Sequence, residues 1–432
     1  MWNSAVPNHA ARVIELAASG VPADAALRRY LDGSRRLGPV GSRAVSRAVF
    51  AAYRWLQWLD PEAPAQRRVA EALALQERFD RDPGSFKAET LAARAVPAWL
   101  AAEVRLTPED LRQLQREPAL WLRARMGRAD EVAAALGDCT APVLPDSLRP
   151  ADEQNLCAWR YGGTTDLFHT APFKAGSFEI QDLASQLVGH ACAPAPGQSW
   201  WDVCAGEGGK TLHLCDLLKN KGLVWATDRS ERRLTVLRRR TARAGLFNYQ
   251  AALWEGTGKL PTGRKFDGVL LDAPCSGVGT WQRNPHARWT TTPEDVRELA
   301  GVQLGLLHAV AAAVKPGGRL VYAVCTLTRS ETTAVADAFA VAHPEFVPVA
   351  LPIAAAPGAS GHSTPIHPAA DPAVGRAPMQ SSEGDTAAGG AGDTGEPHPA
   401  TEAKAGGPPG RITLWPHALN ANGMFIAAWR KA

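Results

Sequence analysis

The seven cysteines form no Cys-x-x-Cys pair and no other zinc-ligand spacing, so a structural metal is not expected. Cys139, Cys157, Cys192, Cys204, Cys215, Cys275 and Cys325 are an odd, scattered set, typical of a reducing compartment and not of a disulfide framework. No apolar run approaches the ~18 residues that cross a bilayer. The start, Met1-Trp-Asn-Ser-Ala-Val-Pro7, has neither the basic segment nor the apolar stretch of a secretory signal. These absences lead us to expect a soluble, cytoplasmic protein with no metal and no membrane contact, and we take it as a monomer. Its 432 residues, 45% of them hydrophobic, suffice for two or three ordinary domains.

Net charge is only +4 but unevenly placed. Residues 1–60 carry eight arginines against four acids, and Arg229–Arg243 holds seven arginines. Such clusters can contact phosphates; a solvated helix face is the alternative for each. Residues 351–410 instead carry two basic and six acidic residues, with ten prolines, eleven glycines and no aromatic residue. Such a stretch cannot bury enough apolar surface to offset its ordering entropy, so it reads as a disordered insertion.

Four further regions follow from pattern. Residues 1–115 read as helices; Ser42 can cap a third helix whose outer face shows Arg43, Arg47 and Arg54. Residues 116–170 read as a small α/β module, with strands at 120–125 and 166–170. Phe178–Ser185 opens a helix. Strands and helices then alternate through 171–350, and two strands follow in 411–432, which together mean βαβ units and a parallel sheet. Lys315-Pro-Gly-Gly318 reads as a turn between helix and strand, and Ser330 as the cap of the next helix.

Three motifs sit on this alternation. Trp200-Trp-Asp-Val203 is a strand followed by Cys204-Ala-Gly-Glu-Gly-Gly-Lys210 and a helix. Glycines there let the backbone approach a ligand and present N–H groups. Asp228, at the end of the next strand, stands where an acid binds ribose hydroxyls. A nucleoside-bearing cofactor fits, although a tight βα turn would look similar. Asp272-Ala-Pro-Cys-Ser-Gly277 and Val324-Cys-Thr326 end two more strands. If 266–272 is the fourth strand, it lies between the first strand and 319–324, and Asp272, Cys275 and Cys325 surround one mouth. Each cysteine alone reads as a small buried hydrophobe. The pair beside a cofactor loop reads as chemistry. A thiolate added to C6 of cytosine makes C5 enamine-like and able to take an electrophilic methyl group. A free thiol of pKa ~8.5 is mostly protonated at neutrality, so neighbours must favour the anion. Asp272 and Lys210 are placed to hold the ring.

Together these motifs, with Gly176-Ser-Phe-Glu-Ile-Gln-Asp-Leu-Ala-Ser185 and the terminal Leu414-Trp-Pro-His417 and Gly423-Met-Phe-Ile426, resemble the Nop/Sun (RsmB-type) RNA (cytosine-5)-methyltransferases. The resemblance covers about residues 170–348 and 411–430. It implies a Rossmann-like class I methyltransferase sheet with an N-terminal helical, NusB-like RNA-binding domain and a small α/β linker module. It implies S-adenosyl-L-methionine as cofactor and RNA as partner, ribosomal RNA first and transfer RNA second. It assigns Cys325 as nucleophile and Cys275 to product release, Asp272 to the cytosine edge and Lys210 to its O2. Cofactor contacts fall to Cys204, Ala205, Gly206, Glu207, Gly208, Gly209, Lys210, Asp228, Arg233 and Asp272, with Glu255 as a further candidate. The chain departs from the family where Gly206-Glu207 replaces Ala-Pro, and where Gln282-Arg283, followed by Arg288 and Trp289, replaces paired arginines that would hold a phosphate. Three other readings compete. The Gly-x-Gly-Gly spacing of the loop disfavours a nicotinamide oxidoreductase. The intact cysteine pair disfavours a non-catalytic RNA-binding or ribosome-assembly factor that retains the fold. A DNA cytosine methyltransferase would carry its nucleophile after Pro, without a second strand-end Cys-Thr.

Overall fold

A computed structural model describes residues 5–34, 37–148, 156–256, 258, 260–353 and 410–432. Six helices come first: α1 (Ala5–Ala18), α2 (Ala23–Gly33), α3 (Gly38–Arg54), α4 (Ala65–Arg81), α5 (Ala88–Arg94) and α6 (Pro108–Gln115). Their apolar stripes meet in one core around Val13, Val49, Trp55, Leu73 and Phe79. α3 starts at Gly38, so Ser42 lies inside it and caps nothing. Its arginines are also turned to internal use. Arg54 is buried with its guanidinium donating to Gln76 Oε1 (2.9 Å), Arg47 pairs with Asp80 and Glu117, and Arg43 donates to the Thr164 carbonyl.

Next come β1 (Leu120–Ala124), α7 (Ala129–Leu136), β2 (Cys139–Thr140), β3 (Ala158–Tyr161), α8 (Ala171–Lys174) and β4 (Phe178–Ile180). The strands form an antiparallel sheet in the order β2-β3-β1-β4. Two expectations fail here. Residues 167–169 are a 3-10 turn, because the Asp166 side chain caps it by accepting from Phe168 N–H. Residues 178–180 are a strand on β1, and the helix begins only after Asp182, which accepts from Ala184 N–H. The small sheet therefore reaches past residue 170.

The second sheet follows the alternation: α9 (Leu183–Cys192), β5 (Ser199–Asp202), α10 (Gly209–Leu217), β6 (Leu223–Asp228), α11 (Glu231–Arg243), β7 (Tyr249–Leu253), β8 (Phe266–Asp272), α12 (Ala287–Thr290), α13 (Pro293–Ala311), β9 (Val314–Val324), α14 (Thr333–Ala342), β10 (Phe346–Pro348), β11 (Arg411–Leu414), α15 (Pro416–Leu419) and β12 (Met424–Lys431). Its order is β10-β12-β9-β8-β5-β6-β7, and β11 also pairs with β12. β9, β8, β5, β6 and β7 run parallel; β12 is antiparallel to β9. The strand order reverses between β5 and β8, which opens the crevice where such sheets bind ligands. Lys315–Gly318 is no turn: it is an irregularity within β9, where Phe266 pairs with Val314 but Gly268 already pairs with Arg319. The insertion read at 351–410 starts later, since Leu351 and Ile353 are buried in the core; residues 354–409 lie outside the described residues.

The helical region is fastened to the large sheet by the segment after Cys275. Arg288 is fully buried, and its guanidinium donates to the Ala95 and Leu114 carbonyls (2.9 Å each). Trp289 Nε1 donates to the Tyr53 carbonyl (2.7 Å). Arg288 is thus spent as a strut and cannot reach a phosphate. Burial pushes its pKa down to about 9, so the two carbonyls must compensate for lost hydration.

Candidate active site

β5 ends at Asp202, and the chain turns through residues 203–208 into α10. Backbone N–H groups pin this turn: Val203 to the Leu270 carbonyl, Ala205 to the Thr227 carbonyl, and Gly206 to Asp228 Oδ2 (3.0 Å). The turn forms one wall of a cavity of about 860 Å3. Of the residues expected at a cofactor site, Cys204, Ala205, Gly206, Glu207, Gly209, Lys210, Asp228, Arg233, Glu255 and Asp272 line it. Gly208 does not. It packs inward at φ +88°, where a Cβ would stand 2.7 Å from Leu237 Cγ, so its role is to let α10 and α11 approach. Cys204 is held as a neutral thiol, its pKa pushed up by burial and then by Asp202 and Asp272.

Asp202 and Trp254 are among the lining residues that the sequence reading did not name as site residues. Asp202 is completely buried. Its Oδ2 accepts from Thr211 Oγ1 (2.6 Å), while among the described residues Oδ1 has no partner. Burial, opposed by that hydrogen bond, raises its pKa to about 7. Its position at the strand's last residue, directly before the loop, was the available signal. An unpartnered buried acceptor in the wall of a cavity is a place for a cationic ligand group.

On the facing side β8 ends at Asp272. Lys210 Nζ donates to Asp272 Oδ2 at 2.6 Å. Burial opposes the Lys210 charge, but Asp272, Cys325 and Asp202 outweigh it and raise its pKa. Cys275 lines the same cavity, and its Sγ lies 3.3 Å from Cys325 Sγ. Cys325 stands behind it and is not itself in the cavity wall. Gly279 makes this approach possible. Its N–H donates to the Cys325 carbonyl (3.1 Å), and a Cβ there would meet the Gly423 carbonyl at 2.1 Å.

The two thiols are unequal. The hydrogen bond from Cys275 lowers the Cys325 pKa; burial and Asp272 oppose this, and Lys210 supports it. Cys275 is raised well above the usual thiol range by that same bond, then by burial, Cys325 and Glu331. The shared proton is thus favoured on Cys275 over Cys325, a ranking that neither residue's sequence position conveyed. Sequence reading also missed Glu331 and Gln303, which together with Thr326 of the Cys-Thr motif surround the pair. The run Thr326-x-Thr328-x-Ser330-Glu331, hydroxyls on alternate residues leading to an acid, was the only hint. Ser330 does not cap α14; its hydroxyl donates to Glu103 Oε1 (2.7 Å).

The arginines of the Arg229–Arg243 cluster play different parts; Arg238 pairs with Glu231 on its own helix, and Arg233 lies near Asp228. Arg240 and Arg243 grip the buried Glu179 of β4, at 2.9 and 2.5 Å. Arg229, Arg232 and Arg239 are exposed, and Arg229 lines the cavity. Among the described residues no group of three or more His, Cys, Asp or Glu could hold a metal ion, and no helix is long and apolar enough to cross a membrane.

Residues 190–430, more than half of the chain, match the sequence model of the family described as 16S rRNA methyltransferase RsmB/F. The chain belongs to that family. It is 38% identical over 178 residues to the probable ribosomal RNA small subunit methyltransferase B of Bacillus subtilis, covering 41% of this chain and 40% of that protein. It is 31% identical over 279 residues to the ribosomal RNA small subunit methyltransferase B of Klebsiella pneumoniae, covering 61% of each. The chain thus spans 40–61% of the length of these curated relatives. The crystal structure of PH0851 superposes with a TM-score of 0.72 at 21% identity, over 100% of this chain and 99% of that one. A methyltransferase homologue from Pyrococcus horikoshii superposes with a TM-score of 0.52 at 22% identity, over 83% and 99%. At that identity the two structures show the fold: a Rossmann-like methyltransferase core with an N-terminal helical region.

Proposed function

We propose that this RsmB/F-family chain is an S-adenosylmethionine-dependent RNA methyltransferase that forms 5-methylcytosine, in ribosomal RNA, through a thiolate adduct at C6. The observation that carries the reading is the Cys275–Cys325 pair, 3.3 Å apart, with Cys275 in the cavity wall alongside the Lys210–Asp272 ion pair and Cys325 directly behind it. The cavity residues fit the cofactor. Asp202 Oδ1 offers a partnerless acceptor for an ammonium group, and Asp228 stands at a strand end, the position that holds a ribose diol. The Cys204–Gly206 turn and Gly209 supply close backbone, and Trp254, Glu255 and Arg233 line the remaining wall. Bound there, S-adenosylmethionine supplies an electrophilic methyl group.

The chain's own residues do the rest. Cys325 Sγ, held as thiolate, forms a bond to C6, and the ring electrons move toward N3 and O2. Lys210 holds O2 as negative charge grows, and Asp272 holds the N3 and amino edge while fixing Lys210. Once Cys325 Sγ is bonded to carbon it no longer accepts the Cys275 proton. Cys275 then loses the largest cause of its raised pKa, releases its own proton to solvent, and as a thiolate is able to take the C5 proton. Loss of that proton to Cys275 and expulsion of Cys325 as thiolate restore the aromatic ring. The base must be looped or flipped out to reach this mouth. The exposed Arg229, Arg232 and Arg239 are the candidate phosphate contacts nearest to it in sequence, and the helical region adds RNA contact through arginines other than Arg43, Arg47 and Arg54. The test is incubation of the purified protein with unmodified RNA and isotopically labelled S-adenosylmethionine, followed by nucleoside mass spectrometry. Label in 5-methylcytidine is expected. Label in another nucleoside, or cofactor binding without transfer to any RNA, contradicts the reading.

A further inference from the structure

The residues on either side of the cysteine pair are tied to one carboxylate. Glu331 is completely buried, at the end of the short 3-10 turn Arg329–Glu331 before α14. Its Oε1 accepts from the Ser276 backbone N–H (2.8 Å) and from Gln303 Nε2 (3.0 Å). Its Oε2 accepts from the Thr326 hydroxyl (3.0 Å), the Thr328 hydroxyl (2.7 Å) and the Ser276 hydroxyl. Ser276 follows Cys275, and Thr326 follows Cys325. Gln303 Nε2 also donates to the Pro274 carbonyl (2.9 Å), so both chain neighbours of Cys275 are held through the same group. Among the described residues no Lys or Arg pairs with Glu331. Five neutral donors stabilise the carboxylate instead.

A second carboxylate steadies this one from outside the sheet. Glu103, at the end of the 3-10 turn Ala98–Ala102 of the helical region, accepts at Oε2 from Ser330 N–H (2.9 Å) and at Oε1 from the Ser330 hydroxyl (2.7 Å). Its carbonyl accepts from Arg329 N–H (3.2 Å). A buried network of this kind is costly for stability alone, because a well-packed apolar residue would serve as well. What it does supply is a fixed relation between two loops that come from different strands.

We propose that Glu331 is a positioning residue for the two-thiol chemistry: its carboxylate fastens the Cys275 loop to the Cys325 loop and so sets the separation of the two sulfurs, with Glu103 steadying the turn that carries it. The inference rests on the two-cysteine reading above. Glu331 bonds to neither sulfur and acts through Ser276, Thr326 and Gln303. Its charge also favours the proton on Cys275, which faces Cys325 and Glu331, over Cys325, which faces Cys275, Asp272 and Lys210.

The test uses the full chain and needs no RNA for its first arm. Dibromobimane becomes fluorescent when it bridges two thiols, and peptide mass spectrometry locates the bridge. Wild type is expected to bridge Cys275 to Cys325. Glu331→Ala is expected to slow bridging roughly 10- to 100-fold. Glu331→Gln keeps an acceptor for Ser276 N–H but not the charge, and is expected to fall between. If Glu331→Ala does not fold, Glu331→Gln and Glu103→Ala carry the test, the latter with a smaller slowing. The pH profile of Cys325 alkylation by iodoacetamide supplies a readout that a merely structural role leaves unmoved; its midpoint is expected to shift in Glu331→Gln. Single-turnover methyl transfer to RNA is expected to fall in the same order. Folded Glu331→Gln and Glu103→Ala with wild-type bridging rates and an unshifted alkylation profile would overturn the proposal. A wild type that bridges, with bridging lost in the variants, but that never methylates RNA would overturn the function reading and leave the clamp standing.

Discussion

Two fully buried carboxylates sit in the same sheet domain and are treated in opposite ways. Glu331 receives five hydrogen bonds and ties two loops together. Asp202 receives one, from Thr211, and keeps an oxygen with no partner in the wall of the cavity. Every donor around Glu331 comes from the fold itself, so the fold gains a fixed geometry. At Asp202 the fold leaves the acceptor open, and stability is given up where a ligand would restore it. The contrast separates a residue that arranges the reacting groups from one that waits for a bound group.

The first way to break this comparison is to remove both carboxylates. Glu331→Ala leaves five donors without an acceptor in a dry site and is expected to destabilise the protein by about 3–5 kcal/mol, measured by urea unfolding. A loss below about 1 kcal/mol would mean that water replaces the carboxylate. Asp202→Asn should act in the other direction. The folded pKa is raised from 3.8 to about 7, so between these values the folded protein holds a proton that the unfolded chain has lost. Stability is therefore fully present below about pH 4 and is lost as pH rises through about 7. The asparagine variant escapes that loss. It is expected to be more stable than wild type by about 2–4 kcal/mol at pH 8 and no different at pH 4, while binding S-adenosylmethionine more weakly. Thermal scans at the two pH values and calorimetric titration check both halves.

Smaller effects sharpen the same contrast. Arg288 is a buried cation held by two carbonyls, and Arg288→Met should leave both unpaired and cost about 1–3 kcal/mol by urea unfolding, with the helical region cleaved faster by protease. Glu255 lines the cavity but is exposed, so Glu255→Gln should change cofactor affinity by less than about 1 kcal/mol.

What could be read from the sequence was carried by short-range pattern. The strand–glycine–helix turn at Asp202–Lys210 and the strand-end positions of Asp228, Asp272, Cys275 and Cys325 follow from alternation of elements and the position of the switch point. Asp228, Asp272 and Cys275 line one cavity, and Cys325 stands directly behind Cys275. Residues whose work depends on convergence of distant elements gave no such signal. Glu331 is defined by Ser276, 55 residues earlier, and Gln303, 28 residues earlier, and Glu103 by Ser330, 227 residues later. Arginine misleads for a similar reason. Arg54 and Arg288 look like surface charge because most arginines are, and only the tertiary fold shows them donating inward. Phe178–Ile180 carries helix-compatible residues but pairs with β1, a case of tertiary contact overriding local preference.

The central claim is that two thiols divide attack and release between them. The most direct measurement is denaturing electrophoresis of the protein mixed with labelled RNA and S-adenosylmethionine, comparing wild type, Cys275→Ala, Cys325→Ala and the double variant. The account predicts a covalent protein–RNA adduct that persists in Cys275→Ala and is absent in Cys325→Ala and in the double variant. An adduct in Cys325→Ala that disappears in the double variant would assign the attack to Cys275 and contradict it.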